Sequence, residues 1–330
     1  MKTIKVWFPD FGLNIPDDFI IYQLLKRNYI LMLDENPDYI IFSDGRYKYL
    51  NYDCIRIRYH VEQQAPDFDL VDYEIGYDEI SFDDRYLRCP WYMLSYSGKY
   101  SYSLNFKKLY EDIQLDRRNL INRGFCSYLS SNPQQLSGRD ELVSMISQYR
   151  EISSGGKHNN NVGFFVDDKI KFLSDYKFNI AAENSIYNGY TTEKIYEAFI
   201  ANSVPIYLGN PKIYKEFNPK AFVDVNKFEN FEKVLDYIIE LDNNDDMYLD
   251  MLNQPKISED SIVPSIENLE NFLKNIFDQP LSISRRRPHS QWTRYKANVI
   301  YLGGNLSLLY ASLPNRIKSI IRLFTRKVVK

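Results

Sequence analysis

Apolar and polar residues along this chain fall into two alternating rhythms. Residues 4–8, 29–33, 39–42, 54–61 and 75–77 form apolar runs of strand length, and residues 19–27 carry helical spacing between the first two. That strand–helix–strand order predicts a parallel sheet. A second series starts at residues 125–129 and passes through the turn SSNPQQLSG into a helix over 139–149. It continues with strands at 179–182, 204–208 and 221–225 and helices at 192–201 and 229–241. Residues 95–120 are polar, Tyr-rich and then charged, which places a linker near 116–123. The pattern predicts two α/β domains, 1–118 and 119–280, with a cleft between them, and a tail over 281–330.

The densest chemistry lies in residues 178–209, FNIAAENSIYNGYTTEKIYEAFIANSVPIYLG, where two strand-like runs flank one helix. The turn before that helix gathers Glu183, Asn184, Tyr190, Thr192, Glu193 and Lys194. In an α/β sheet such a turn sits at the carboxyl ends of the strands, where ligands bind. Thr192 suits an N-cap, which leaves Glu193 and Lys194 in the first turn. A lysine there opposes the helix dipole, so the placement suggests a bound anion. Arg139 opens an earlier helix of the same series. Two cations at two helix starts suit a diphosphate, Arg as a planar fork and Lys as a point charge. Asn132 and Asn184 flank them.

Other residues leave two readings open. Along 54–62 the odd positions are apolar, and Arg56, Arg58, His60 and Glu62 make a polar face. Glu62, at the carboxyl end of that strand, is either a general base or an arginine partner, and His60 competes as the base. Glu193 either contacts sugar hydroxyls or serves the helix dipole. Tyr190 is either a ligand contact or a core aromatic. Glu183 and Asn184 end a buried strand, where polar groups need partners. Asp67-Phe68-Asp69 matches a loose metal-transferase triplet but reads better as a solvated loop. A Gly-rich dinucleotide fingerprint, a phosphate loop, HExxH and GxSxG are all missing.

Charge adds a division. The net charge of −3 conceals eleven Lys/Arg and no Asp/Glu in residues 281–330, against 30 basic and 44 acidic residues before them. Within 315–330, NRIKSIIRLFTRKVVK, five apolar side chains at helical spacing are bordered by basic ones. This predicts a basic amphipathic helix on an anionic membrane surface, with Trp292, Tyr295 and Tyr301 as upstream anchors. A helix packed on the acidic body is the competing reading, and nucleic acid is not expected as a partner. The three scattered cysteines fit a reducing compartment, and no leader or membrane span is evident.

The run KFNIAAENSIYNGYTTEKIYEAFIANSVPIYLGNP, followed by FNPKAFVDVNKF, resembles the donor-site signature of the inverting α1,3/4-fucosyltransferases, above all the bacterial ones. HVEQQAPDFDLVDYEIGYDEISFDDRYLRCPWY, RGFCSYLSSN with Arg139, and YLDML fit in the same order, so the resemblance covers about residues 4–255. It implies two Rossmann-like domains facing a cleft (GT-B type), the acceptor in the first and GDP-fucose in the second. By resemblance Arg139 and Lys194 hold the diphosphate, Asn184, Tyr190 and Glu193 contact the donor, and Glu62 is the base. Ala181-Ala182 and Thr191 depart from the usual pattern. The loop SSGGKHNNN is less regular, which leaves Lys157 and Asn159 without a firm role. The family implies no required cofactor, with a divalent metal at most stimulatory. The expected activity is α1,3-transfer of fucose to a GlcNAc-containing surface glycan, such as one of lipopolysaccharide, by an enzyme peripheral on the cytoplasmic face of the membrane. A transferase with another nucleotide-sugar donor and a non-catalytic glycan-binding protein are the alternatives.

Overall fold

A computed structural model describes residues 1–43, 48–60, 64–95, 109, 116–131, 137–257, 259–262, 265–312 and 318. The strands are β1 (Thr3–Trp7), β2 (Ile30–Leu33), β3 (Tyr39–Phe42), β4 (Ile55–Tyr59), β5 (Tyr73–Gly76), β6 (Tyr86–Arg88), β7 (Gly124–Tyr128), β8 (Ile152–Ser154), β9 (Tyr176–Ala182), β10 (Val204–Leu208) and β11 (Val223–Asp224). The helices are α1 (Ile20–Asn28), α2 (Trp91–Leu94), α3 (Arg117–Ile121), α4 (Arg139–Ile146), α5 (Lys169–Ser174), α6 (Glu193–Ile200), α7 (Phe231–Asn243), α8 (Asp245–Asn253), α9 (Ile266–Asp278), α10 (Leu281–Ser284) and α11 (Gln291–Ser312). The result is an α/β fold with two parallel sheets, as the strand–helix rhythm predicts. Among the described residues no helix is long and apolar enough to cross a membrane.

The chain divides into two compact units, each built from separated segments. The first holds Met1–Ile15, Tyr29–Ile75 and Asn275–Lys330. Its strands run in the order β2-β1-β3-β4-β5. Every residue of β3 and β4 is buried, as in parallel strands covered on both faces. Arg56, Arg58 and His60 of the expected polar face are therefore inside. Arg56 donates to the carbonyls of Leu70 and Tyr52, and Arg58 pairs with Glu74 at 2.7 Å. His60 Nε2 lies 2.7 Å from Glu74 Oε2. Alternation in sequence cannot reveal carboxylates and carbonyls that arrive from other segments to neutralise a buried face.

The start of the basic 281–330 segment is folded into this same unit. Arg287 is 6% exposed and pairs with the fully buried Asp72. Asp72 also accepts from the backbone N–H groups of Arg286 and Arg287 at 2.7 and 2.9 Å. Arg285 pairs with Asp53 at 2.9 Å. Lys296 of α11 bridges Asp67 and Asp69 at 2.8 and 2.9 Å, so the Asp-Phe-Asp triplet holds an ammonium group. Ala297 and Ile300 pack on the cluster around Trp7, Phe42 and Leu70. Trp292, Tyr295 and Leu302, by contrast, are exposed. Residues 315–330, on which the amphipathic helix was expected, lie outside the described residues except for Lys318.

The second unit comprises Pro16–Asn28 and Gly76–Lys274. Its five-stranded sheet has the order β11-β10-β9-β7-β8, all parallel. The stretch near 116–123, expected as linker, is the helix α3. Asp116 caps it by accepting from the N–H of Arg118, and Leu120 joins the core. That core runs through Phe125, Leu142, Phe178, Ile206, Val234, Ile238 and Leu252. Asp168, Asn230 and Asn244 cap α5, α7 and α8 with side-chain oxygens. Register matters most for the site. Tyr128 lies opposite Ile180, and Ala182 opposite Leu208. The segments following β7, β9 and β10 therefore emerge together at one sheet edge.

Candidate functional site

That edge carries a cavity of about 260 Å³ in the second unit. Leu129, Ser130 and Ser131 after β7, Gly155 to Lys157 after β8, and Asn184 after β9 line it, with the starts of α4, α5 and α6. The helix starts bring Arg139, Lys169, Glu193, Lys194 and Glu197 to its wall. Gly156 fits against Ser130 so closely that a Cβ there would lie 2.0 Å from the Ser130 carbonyl oxygen. Two neighbouring segments can meet there only because residue 156 has no side chain.

Arg139 sits in the first turn of α4, after Gly138 at φ 78° in the left-handed region. It is 1% exposed, and its Nη1 donates to Asn184 Oδ1 at 2.6 Å. Asn184 thereby orients the guanidinium at the cavity wall.

Glu183, fully buried, organises the start of α6. Its Oε1 accepts from the backbone N–H of Thr192 at 2.7 Å. Its Oε2 accepts from the Thr192 hydroxyl at 2.6 Å and from Lys194 Nζ at 2.9 Å. Thr192 holds the N-cap position, but its hydroxyl makes no cap bond to the helix and serves Glu183 instead. The placement of Lys194 in the sequence suggests a bound anion; the structure adds an internal carboxylate, Glu183, that already partners it. Burial alone would lower the Lys194 ammonium, yet Glu183 and then Glu193 hold it well above its usual value. Burial works to raise Glu193, but Lys194 and Lys169 outweigh it and keep that carboxyl low.

One turn further along α6, Glu197 is 6% exposed and 3.2 Å from Lys169. Burial pushes its carboxyl up to about 7, with Lys169 opposing the rise and Glu193 adding to it. Lys169, in turn, stands above its usual value; burial works against this, and Glu197 and Glu193 prevail.

The structure thus brings Arg139, Asn184, Glu193 and Lys194 to one cavity, together with Lys157. Tyr190 is not in the wall. It is 2% exposed and packs edge-on against Tyr77 at 5.1 Å. Glu62 and Asn132 lie outside the described residues. His60 is held in the Arg58–Glu74 network of the first unit. Asn159 is exposed, at φ 56°, with its amide nitrogen 3.1 Å from His158 Nε2. Lys169, Glu197, Phe165, Val166 and the Gly155-Gly156 pair were not anticipated. The i, i+4 spacing of Glu193 and Glu197 was a usable signal for one of them. Among the described residues no group of His, Cys, Asp and Glu is arranged to hold a metal ion.

Comparison with known proteins adds a family. A model described as glycosyltransferase family 10 (fucosyltransferase) C-term matches residues 122–256, and one for the alpha-(1,3)-fucosyltransferase FucT N-terminal domain matches residues 6–96. The alpha-(1,3)-fucosyltransferase FucT of Helicobacter pylori is 34% identical over 76% of this chain and 59% of its own length. The mouse 4-galactosyl-N-acetylglucosaminide 3-alpha-L-fucosyltransferase 9 is 35% identical over 38% of this chain and 34% of its own length. The chain thus spans less than two thirds of the length of these curated relatives. A crystal structure of an alpha1,3-fucosyltransferase with GDP-fucose superposes with a TM-score of 0.69 at 28% identity, covering 84% of this chain and 92% of that one.

Proposed function

The chain belongs to the glycosyltransferase family 10 fucosyltransferases, and we propose on that premise that it moves L-fucose from GDP-fucose to the GlcNAc of a LacNAc-type surface glycan, forming an α1,3 linkage with inversion. The observation that carries this reading is the pair of oriented cations, Arg139 on Asn184 and Lys194 on Glu183, at the starts of two helices in one cavity. Backbone N–H groups at helix starts add to their pull on a diphosphate. The acceptor hydroxyl attacks the anomeric carbon of fucose from the face opposite GDP. The new C–O bond forms as the bond to the diphosphate oxygen breaks. The hydroxyl proton passes to Glu62, the proposed base. Arg139 and Lys194 balance the charge that grows on GDP, a preorganised stabilisation that can dominate such a barrier. Glu193 faces the developing positive charge on the sugar. GDP-fucose is a substrate here, and no cofactor is required.

In this reading the two parallel sheets are the Rossmann-like halves of a GT-B-type enzyme, with residues 1–118 serving the acceptor and 119–280 the donor. The name of the mouse relative supports the LacNAc acceptor. The 281–330 segment is proposed to rest on an anionic membrane at the cytoplasmic face. With Arg285, Arg287 and Lys296 engaged inside the first unit, the membrane contact narrows to the exposed Trp292–Tyr295–Val299–Leu302 side of α11 and to residues beyond it. The test is incubation with GDP-fucose and N-acetyllactosamine, reading fucosylated product and free GDP. Product with another GDP-sugar alone would shift the donor assignment, and no turnover with any would favour a glycan-binding protein. Glu62→Gln should abolish transfer while GDP still binds. Lost GDP binding in that variant would refute its role as base.

A further inference from the structure

The loop between Asn184 and Glu193 leans on a buried polar hub that the chemistry above leaves unused. Asn210, fully buried, follows β10 at the same sheet edge. Its Oδ1 accepts from the N–H groups of Gly189 and Lys212 at 2.9 and 3.0 Å. Its Nδ2 donates to Thr191 Oγ1 and to Glu216 Oε1, both at 3.1 Å. The Thr191 hydroxyl in turn donates to Glu216 Oε1 at 3.0 Å. Arg88 of β6 completes the hub, 2.7 Å from the same oxygen. Glu216 is 1% exposed, and burial raises its carboxyl against the pull of Arg88.

The same loop is pressed onto the segment after β5. Gly189 adopts φ 83°, and a Cβ there would lie 2.3 Å from the Tyr77 carbonyl oxygen. Tyr190 stacks edge-on against Tyr77, and the Tyr187 hydroxyl donates to Asp78 at 3.1 Å. All of these residues belong to the second unit, so part of the GYDEISFDDRYLRCP stretch serves this loop.

We propose that Thr191 is a positioning residue: through Asn210, Glu216 and Arg88 it fixes the 185–192 loop, and with it the placement of Asn184 and Glu193 in the donor cavity. The proposal rests on reading that cavity as the GDP-fucose site. Thr191 is not among the residues that line the cavity. A loop already ordered in the free protein spares the donor the entropy of ordering it. The hydroxyl is central to this, because it accepts from Asn210 and donates to Glu216 at once. Removing it leaves two buried polar groups each short of a partner.

Valine matches threonine in shape without the hydroxyl, and serine keeps the hydroxyl. On the full chain, Thr191→Val should weaken GDP binding by about five- to tenfold in calorimetry, in line with the loss of one buried hydrogen-bonding group. The rate at saturating GDP-fucose should change less than twofold. Thr191→Ser should keep its GDP affinity within twofold of the parent. Amide hydrogen exchange of a peptide spanning 185–192 should speed up in the valine variant and not in the serine one. Arg139→Lys serves as the control for the cavity. Weaker GDP binding by Arg139→Lys with unchanged binding by Thr191→Val would overturn the hub's role alone. Unchanged binding in both would overturn the donor reading as well. A lower melting temperature of Thr191→Val with unaltered affinity and loop exchange would reduce the hub to a stability element.

Discussion

Glu197 should make the stability of this protein fall as pH rises through neutrality. The carboxyl is nearly excluded from water, and its value of about 7 stands well above the ordinary 4.5. Between those two values the folded state binds a proton that the unfolded state has released. Stability from this group is therefore fully present below about pH 4.5 and lost as pH climbs through 7. From pH 5 to pH 8 the loss is roughly 2–3 kcal/mol, at 1.36 kcal/mol for each unit between the two states. Glu197→Gln removes the titration. Lys169, held above its usual value, and Glu193, held below its own, are charged throughout this pH range. Groups away from this network contribute equally to both proteins, so the informative quantity is the difference between them at two pH values. Urea unfolding of parent and variant at pH 5 and pH 8 supplies it. The variant should gain roughly 2–3 kcal/mol relative to the parent between the two. Parallel pH dependence in the two proteins would refute the argument, because Glu197 would then ionise as if unburied. The same titration changes the charge of the cavity, so under the proposed function GDP affinity in the parent should decline over this pH range and decline less in the variant.

Three further outcomes follow from the geometry. Arg139→Lys keeps the charge but loses the planar fork that Asn184 orients; GDP should bind about tenfold more weakly in calorimetry, and an unchanged Kd would count against a bidentate role. Arg287→Met leaves Asp72 buried without its guanidinium partner, so chemical denaturation should show a loss of about 3–5 kcal/mol; a loss below about 1 kcal/mol would mean that the backbone N–H groups of Arg286 and Arg287 suffice. A chain ending at residue 312 keeps Arg285, Arg287 and Lys296 but lacks the basic residues after them; it should cosediment with phosphatidylserine vesicles less than the full chain at low salt, and equal binding would leave the exposed side of α11 as the contact.

The β9–α6–β10 unit was readable in the sequence because each of its parts is an uninterrupted run of one kind. Residues 204–208 and 192–201 announce a strand and a helix without help from any distant partner, and the structure departs from them by at most a residue. Arg139, Asn184, Glu193 and Lys194 were readable for the same reason, since position at an element end follows directly from the pattern. What stayed hidden depends on chain segments that meet only in three dimensions. Helix α5 is six residues long, too short for periodicity to show, so Lys169 could not be placed at the cavity. The buried fate of Arg56 and Arg58 hangs on Leu70, Tyr52 and Glu74, which arrive from outside their strand. The folding of residues 284–287 into the first unit needs Asp53 and Asp72, more than two hundred residues away. Charge counting saw an acidic body and a basic end but could not say which acid meets which base.

Lys194 shows why an internal partner and an anionic ligand are compatible. An ammonium group has three donors. Two are directed at Glu183 Oε2 and Thr192 Oγ1, at 2.9 and 2.8 Å. Those bonds fix the side chain at the start of α6, and Glu193 Oε1 stands further off, at 4.0 Å, so the third N–H has no partner at hydrogen-bonding distance there. Glu183 lies beneath the cavity and is not part of its wall, so a diphosphate need not displace it. The wall carries Arg139, Lys157, Lys169 and Lys194 against Glu193 and Glu197. Its formal charge is therefore +2 with Glu197 ionised and +3 with Glu197 protonated, which favours an anion in either state. The buried carboxylate thus acts on the site by orientation: it keeps Lys194 charged and aimed, at the cost of part of its field. Under the function proposed above, a smaller net attraction from a fixed cation suits release of GDP after each transfer better than a stronger one from a mobile cation.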